Sequence, residues 1–141
     1  MPKLLRAILA VVLGFVAGSA VNMGLIMLSP MVIPPPPGAD VTTMEGLKAS
    51  LHLFEPKHFA FPYLAHAVGT FVGAFVAAAL APGKSATPAY VVGGLFLLGG
   101  VANVIMLPAP AWFSAVDLLL AYLPAAWLGN TLAARSFRRG A

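Results

Sequence analysis

The fold is decided by residues 4–28, which read LLRAILAVVLGFVAGSAVNMGLIML. Arg6 is the one charged residue in this run, and about 20 mainly apolar residues are enough to cross the hydrocarbon core of a bilayer. The basic start and the small residues Ala17-Gly18-Ser19 are also typical of a cleavable secretory signal. Because the apolar run continues through Leu28, we interpret it as an uncleaved first membrane-spanning helix.

Three further apolar stretches reach spanning length, at about residues 59–80, 89–107 and 112–134. Of the 141 residues, 60% are hydrophobic and 9% are charged, and the mean hydropathy is +0.94. A soluble domain has about 25% charged residues, so this composition is typical of a membrane protein. We predict an all-α membrane protein with four transmembrane helices, forming a single transmembrane domain over residues 1–141.

Basic residues are distributed unevenly between the two ends of the predicted bundle. One end has only Lys48 and Lys57, whereas the other has Lys3, Arg6, Lys84, Arg135, Arg138 and Arg139. Because cytoplasmic loops are enriched in lysine and arginine, we expect both termini in the cytoplasm and residues 29–58 outside. The positive charge therefore indicates orientation in a lipid bilayer, and we expect no nucleic-acid partner.

The long external loop, residues 29–58, contains its own helix signal. Thr42 and Glu45 have the spacing of a capping box, which predicts a helix that starts near Thr43. Pro56 predicts its end near Phe54. Apolar side chains recur at helical spacing along this segment, at Met44, Leu47, Leu51 and Phe54. We therefore predict a short external amphipathic helix on the outer surface of the bundle or membrane.

An internal repeat relates the two halves of the chain. Gly18-x-x-x-Asn22 matches Gly99-x-x-x-Asn103, and Pro56-x-His58-Phe59 matches Pro110-x-Trp112-Phe113. Each half is then a helix, an external connection and a returning helix. These matches predict two tandem helical hairpins, residues 4–80 and 89–134, related by a pseudo-twofold axis along the membrane normal.

Each predicted span contains one conspicuous polar residue near its outer end. These residues are Asn22, His66, Asn103 and Asp117. Each of the four lies on its own helix's line of small residues, and the lines are Gly14-Gly18-Asn22, His66-Gly69-Gly73-Ala77, Gly99-Asn103 and Asp117-Ala121-Ala125-Gly129. Polar groups are costly in lipid, so we expect these lines and their polar residues to face inward. Together with Thr70 and Tyr122, they form the predicted ligand-binding site.

His66 and Asp117 are the residues with the most specific chemistry in this set. A buried aspartate must be paired, neutral or hydrated, and a neighbouring carboxylate would fix the tautomer of the imidazole. Such a pair suits a proton relay or a cation site. The alternative is a buried pair with a purely structural role, and for Asn22 and Asn103 helix-to-helix hydrogen bonding is the simpler interpretation.

Other chemistry is weakly indicated. Met23 and Met27, with His52 and His58 outside, offer thioether and imidazole ligands that suit Cu(I), although packing or contact with lipid is the preferred explanation of such methionines. There is no cysteine, so thiolate metal sites and thiol catalysis are excluded. No nucleophile, phosphate-loop or zinc-protease motif is present, and we expect neither enzymatic activity nor a cofactor.

Three motifs together suggest a family. The Gly18-Ser19-x-x-Asn22 helix, His66-x-x-Gly69-Thr70-x-x-Gly73-Ala74, and residues 107–113 (LPAPAWF) make the chain similar to small bacterial four-span membrane proteins of no assigned activity. The resemblance implies a bacterial inner membrane, and it transfers neither a function nor functional residues.

Two functional hypotheses follow from these patterns. The first is binding or transport of a proton, a cation or a small polar solute at an outward-facing intramembrane polar site. Because four helices enclose little volume, transport would need a homo-oligomer. The second is an accessory or scaffold subunit of a larger membrane complex, in which the polar residues only join helices. Copper handling by the methionines and histidines is a weaker third alternative.

Overall fold

A computed structural model describes residues 1–137, and within that range it is helical and has no β-strand. Arg138 and Arg139 of the predicted basic end lie outside the described residues. The α-helices are α1 (Lys3–Val32), α2 (Met44–Ser50), α3 (Ala60–Leu80), α4 (Thr87–Met106), α5 (Ala111–Val116) and α6 (Leu123–Phe137). Four stretches are long and apolar enough to cross a membrane: Lys3–Val32, Pro56–Leu80, Thr87–Met106 and Ala111–Phe137.

α1 packs closely against α3 through glycine. A β-carbon at Gly14 would lie 2.5 Å from the carbonyl oxygen of Gly73, and one at Gly18 would lie 2.5 Å from that of Gly69. No larger residue fits at these positions without separating the two backbones. The predicted small-residue lines of α1 and α3 thus face each other, as small residues do where membrane helices approach closely.

α3 is the central helix, because it packs against α1, α4 and α6. Gly129 of α6 lies against the backbone of Phe71 and Phe75, and Gly93 of α4 lies against Ala126. Alanines fill most of the core between these helices. The predicted line on the fourth span is buried along its whole length, at Asp117, Ala121, Ala125 and Gly129.

The predicted inward line of α4 is wrong. Gly99 and Asn103 are exposed, and the packed glycines are Gly93 and Gly100. Gly93 accommodates Ala126, and Gly100 accommodates the ring of Tyr122. Neighbouring helix residues point about 100° apart, so turning Gly100 inward turns Gly99 outward.

The external helix begins one residue later than its predicted capping box implies. The hydroxyl of Thr43 caps α2 by accepting a hydrogen bond from the Gly46 amide at 2.9 Å. Thr42 instead donates its hydroxyl to the Asp40 carboxylate at 2.6 Å. The predicted pairing of Thr42 with Glu45 is therefore wrong, because the Asp40 side chain already holds Thr42.

The external helix is also shorter than predicted, since α2 ends at Ser50 and a 3₁₀ turn, Leu51–Leu53, follows. Of the predicted apolar face, Leu51 is buried and Leu47 and Phe54 are half-buried, whereas Met44 is half exposed. A 3₁₀ turn has three residues per turn, so the α-helical spacing does not continue past Ser50. The segment nevertheless lies against the bundle, because Phe54 contacts the ring of Phe59.

The fourth span is not one continuous α-helix. α5 gives way to a π-helical turn, Asp117–Ala121, and α6 then begins at Leu123. Pro124 explains the interruption, because proline has no N–H and its ring collides with the carbonyl four residues earlier in a regular helix. With the break before it, Pro124 occupies the first turn of α6, where proline is well tolerated.

Candidate functional site

His66 and Asp117 are in direct contact across the interface of α3 with the fourth span. The Nδ1 atom of His66 lies 2.7 Å from Oδ1 of Asp117. Asp117 is 2% exposed, and the imidazole of His66 is mostly buried. When Asp117 is ionised and the imidazole of His66 is neutral, Nδ1 carries the proton of this hydrogen bond, and Nε2 of His66 is left as an acceptor.

Tyr122 provides the second hydrogen bond to this carboxylate. Its hydroxyl donates to Oδ2 of Asp117 at 2.8 Å, and its ring stacks on the imidazole of His66 with centroids 5.7 Å apart. Each oxygen of Asp117 thus has one partner, which offsets the cost of burying a carboxylate among apolar helices. We call His66, Asp117 and Tyr122 the polar network.

The π-helical turn makes the contact between Tyr122 and Asp117 possible. Residues five apart in a regular α-helix point about 140° away from each other, so these two side chains would not meet. A π-helical turn bonds residue i to residue i+5 and brings them to the same side of the helix. Gly100 provides the space, because a β-carbon there would overlap the hydroxyl and ring of Tyr122.

A first cavity lies on the side of the polar network that faces the connection between α1 and α3. It has a volume of about 160 Å³ and is lined mainly by apolar side chains, with His66, Asn103, Ser114 and Asp117 as its polar lining. The predicted external connection between α1 and α3, residues 33–59, covers it with Leu47, Leu51, Phe54 and Phe59. We call residues 33–59 the external segment and the cavity that they cover the capped cavity.

A second cavity reaches the polar network from the side of the bundle. It has a volume of about 280 Å³ and lies between α1 and α4, and His66 and Tyr122 reach it from within the bundle. Asn22 and Asn103 line it too. We call it the lateral cavity. Because His66 lines both cavities, its imidazole lies between them.

The predicted site is therefore brought together only in part. Asn22 and Asn103 share a cavity with His66, but in the described part of the chain neither forms a hydrogen bond with the polar network. Oδ1 of Asn22 is buried and has no partner within residues 1–137. Thr70 is fully buried, and its hydroxyl likewise has no partner among those residues.

The weak metal candidates are dispersed. Met23 and Met27 are exposed, as is His52. Nδ1 of His58 accepts a hydrogen bond from the Glu55 amide at 2.9 Å and so caps the turn that leads into α3. Residues 1–137 contain no group of three or more histidines, aspartates and glutamates that could hold a metal ion.

Two residues that position the network were not recognised from the sequence. Gly100 had a visible signal, since it is half of the pair Gly99-Gly100, but only the outward member was selected. Pro124 lies inside an apolar span, where it predicts a distorted helix. Both residues position Tyr122: Gly100 leaves space for its ring, and Pro124 interrupts the helix next to it.

The site can accept a proton or a hydrogen bond at Nε2 of His66, next to either cavity. Among residues 1–137, no lysine or arginine lines either cavity. Comparisons of this chain with known protein families, with curated proteins and with solved structures find no match. The function is therefore argued from the geometry of the polar network.

Proposed function

We propose that this chain is a multi-pass membrane protein that binds a proton, a cation or a small polar solute at His66. One observation carries the proposal: a histidine held by a buried carboxylate lies between two cavities. Asp117 and Tyr122 fix the imidazole, and Nε2 is the group that meets the ligand. Ionisable residues inside a membrane bundle are costly, and they commonly mark binding sites and proton paths.

Binding is favoured over conduction through a single copy. Toward the end of the bundle away from the capped cavity, α1 and α3 are held together by the contacts of Gly14 and Gly18 with α3 backbone carbonyls. Ala74, Ala77 and Ala78 are buried in the same region of α3. Transport would therefore require helix movement or a passage between copies, and we include a homo-oligomer, or membership of a larger complex, in the proposal.

The proposal also includes the orientation. Both termini lie in the cytoplasm of a bacterial cell, the protein spans the inner membrane, and the capped cavity faces outward. One hydrogen bond supports the placement of the start of α1 and the end of α3 on the same side of the membrane: Nε of Arg6 donates to the carbonyl oxygen of Leu80 at 3.3 Å. It joins the basic start of α1 to the end of α3, so both belong to one side of the bundle.

The two tandem hairpins, residues 4–80 and 89–134, are retained in the proposal. The supporting observations are that α1 packs on α3 and that α4 packs on α6. The equivalence of residues does not extend to packing, because Gly18 is buried against α3 whereas Gly99 is exposed. A common origin of the halves followed by divergence at α4 accounts for both observations.

The test uses purified full-length protein in lipid nanodiscs with ¹⁵N-labelled histidine. Ammonium, as a small cation, and glycerol, as a small polar solute, are titrated in turn while the Nε2 signal of His66 is followed. Proton movement is measured separately in vesicles that contain a pH-sensitive dye. We expect a saturable Nε2 shift or a proton signal that Asp117→Asn abolishes and that the matched control, Ser19→Ala, leaves unchanged.

A scaffold role is the second candidate, and the observation that favours it is the complete pairing of the Asp117 carboxylate inside the protein. Under this alternative no probe gives a response. Asp117→Asn would then lower the free energy of unfolding by about 1–3 kcal/mol, because a buried partner loses its hydrogen bond. That combination of results would replace the binding proposal.

A further inference from the structure

The lateral cavity is bordered by apolar helix surface. Phe15 of α1 and Leu95 of α4 line it, and each is 40% exposed. Val12 and Leu98, on the same two helices, are exposed as well. α1 and α4 both have the length and composition of membrane spans, so this side of the bundle suits contact with lipid hydrocarbon.

The interior of the lateral cavity offers hydrogen-bond acceptors. Oδ1 of Asn22 is buried without a partner in the described residues, and an unsatisfied buried acceptor is destabilising. Nε2 of His66 is a second acceptor while Nδ1 donates to Asp117. A hydrogen-bond donor on a ligand would satisfy one of these two acceptors.

The charged side chains available at the lateral cavity restrict the class of ligand that it can bind. In the described part of the chain no lysine or arginine lines the lateral cavity, so an acidic head group would have no cationic partner among these residues. A protonated amine would lack a free carboxylate, because both oxygens of Asp117 are already bonded to His66 and Tyr122. A hydroxyl group needs neither a cationic partner nor a free carboxylate. It can donate to one acceptor and accept from a neighbouring amide such as that of Asn103.

We infer that the lateral cavity admits a neutral, membrane-dissolved hydroxyl compound directly from the bilayer, with its hydroxyl group donating to Oδ1 of Asn22 or to Nε2 of His66 and its apolar part between α1 and α4. The inference rests on the proposed function, because it names the class of solute that the polar network binds. The apolar lining at Phe15, Leu95 and Phe96 suits a hydrocarbon tail.

The test uses two photoactivatable lipids of equal chain length: a diazirine-bearing hexadecanol and the matching hexadecanoic acid. Each is mixed into nanodiscs that contain the full-length protein, and labelled residues are mapped by mass spectrometry. We expect the alcohol to label α1 and α4 around the lateral cavity about tenfold more than the acid, corresponding to one lost hydrogen bond of about 1.4 kcal/mol.

Two glycines of α4 provide matched variants. A β-carbon at Gly99 or at Gly94 meets no atom within 4 Å, so the fold accepts a larger residue at either position. Gly99 lines the lateral cavity, whereas Gly94 is not among the residues that line it. Gly99→Leu should reduce labelling by the alcohol about tenfold or more, and Gly94→Leu should leave it within about twofold of wild type.

Several results would overturn the inference. These are equal labelling by acid and alcohol, undiminished labelling of Gly99→Leu, and cross-linking of the lateral cavity to a second copy of the chain. If glycerol still shifts the Nε2 signal of His66 and Asp117→Asn abolishes that shift, the proposed function stands and only access from the bilayer fails. If neither lipid binds and ammonium, glycerol and the proton assay also give no response, both proposals fail.

Discussion

Replacing Gly100 with alanine should break the hydrogen bond between Tyr122 and Asp117, although neither of these two residues is mutated. The added methyl group would overlap the Tyr122 hydroxyl and ring. Tyr122 is 1% exposed, so its ring has little room in which to move. The ring must shift nevertheless, and its 2.8 Å hydrogen bond to Oδ2 of Asp117 breaks.

The magnitude follows from a comparison with Gly99→Ala, the neighbouring substitution on the same helix. Alanine in place of glycine stabilises a helix interior by roughly 0.5–1 kcal/mol at either position, and this gain cancels in the comparison. A hydrogen bond to a charged group contributes about 1.5–3 kcal/mol. Gly100→Ala should therefore be less stable than Gly99→Ala by about 1.5–3 kcal/mol from the lost hydrogen bond, and the overlap with the ring adds to this difference.

The assay is unfolding of the purified protein in mixed micelles by added SDS, followed by the fluorescence of Trp112 and Trp127. Repeating the pair of glycine substitutions in a Tyr122→Phe background removes the hydroxyl. The stability difference between the two glycine variants should then fall by at least about 1 kcal/mol, with only the ring overlap left. Equal stability of Gly100→Ala and Gly99→Ala in the wild-type background would refute the assigned position of Tyr122.

Two further predictions concern orientation and the external segment. Single cysteines at Ala39 and Ser136, introduced into the cysteine-free chain, should differ in reactivity toward an impermeant thiol reagent on intact cells: position 39 is labelled and position 136 is protected, and the reverse pattern contradicts the proposed orientation. The hydroxyl of Thr42 lowers the pKa of the Asp40 carboxyl, as the Thr42 amide does to a smaller extent, so Thr42→Ala should raise that pKa in an NMR titration. Because the pKa of Asp40 is lower in the folded protein, its hydrogen bonds stabilise the segment fully above pH 3.8, the ordinary pKa of an aspartate. This stabilisation is lost as the pH falls through the folded pKa. An unchanged pKa of Asp40 in Thr42→Ala would contradict this.

The helix packing was predictable where the sequence offers one line of small residues. On α1, Gly14 and Gly18 are the one pair of glycines at i, i+4 spacing, and on α3 the one such pair is Gly69 and Gly73. Spacing alone therefore identified the two faces that meet. The prediction needed no knowledge of the partner helix, because only glycine permits backbones to approach so closely.

On α4 the same rule failed because glycines occur there in adjacent pairs. Gly93-Gly94 and Gly99-Gly100 offer two faces about 100° apart, and spacing does not choose between them. The choice is made by the shapes that α6 and Tyr122 present. This information lies on another part of the chain, so the outward position of Asn103 could not be deduced from α4 alone.

The contact of His66 with Asp117 was predictable from depth and chemistry, since a buried carboxylate needs a partner. The role of Tyr122 in holding that carboxylate could not be predicted in the same way, because residues five apart do not meet on an α-helix. Pro124 explains why the two side chains meet, because it prevents a regular helix at this point. The π-helical turn that precedes Pro124 then aligns Tyr122 with Asp117. A helix defect that costs hydrogen bonds within the fourth span is thus the feature that gives the buried carboxylate its second donor. An uninterrupted helix would keep the backbone bonds and leave Oδ2 of Asp117 without Tyr122.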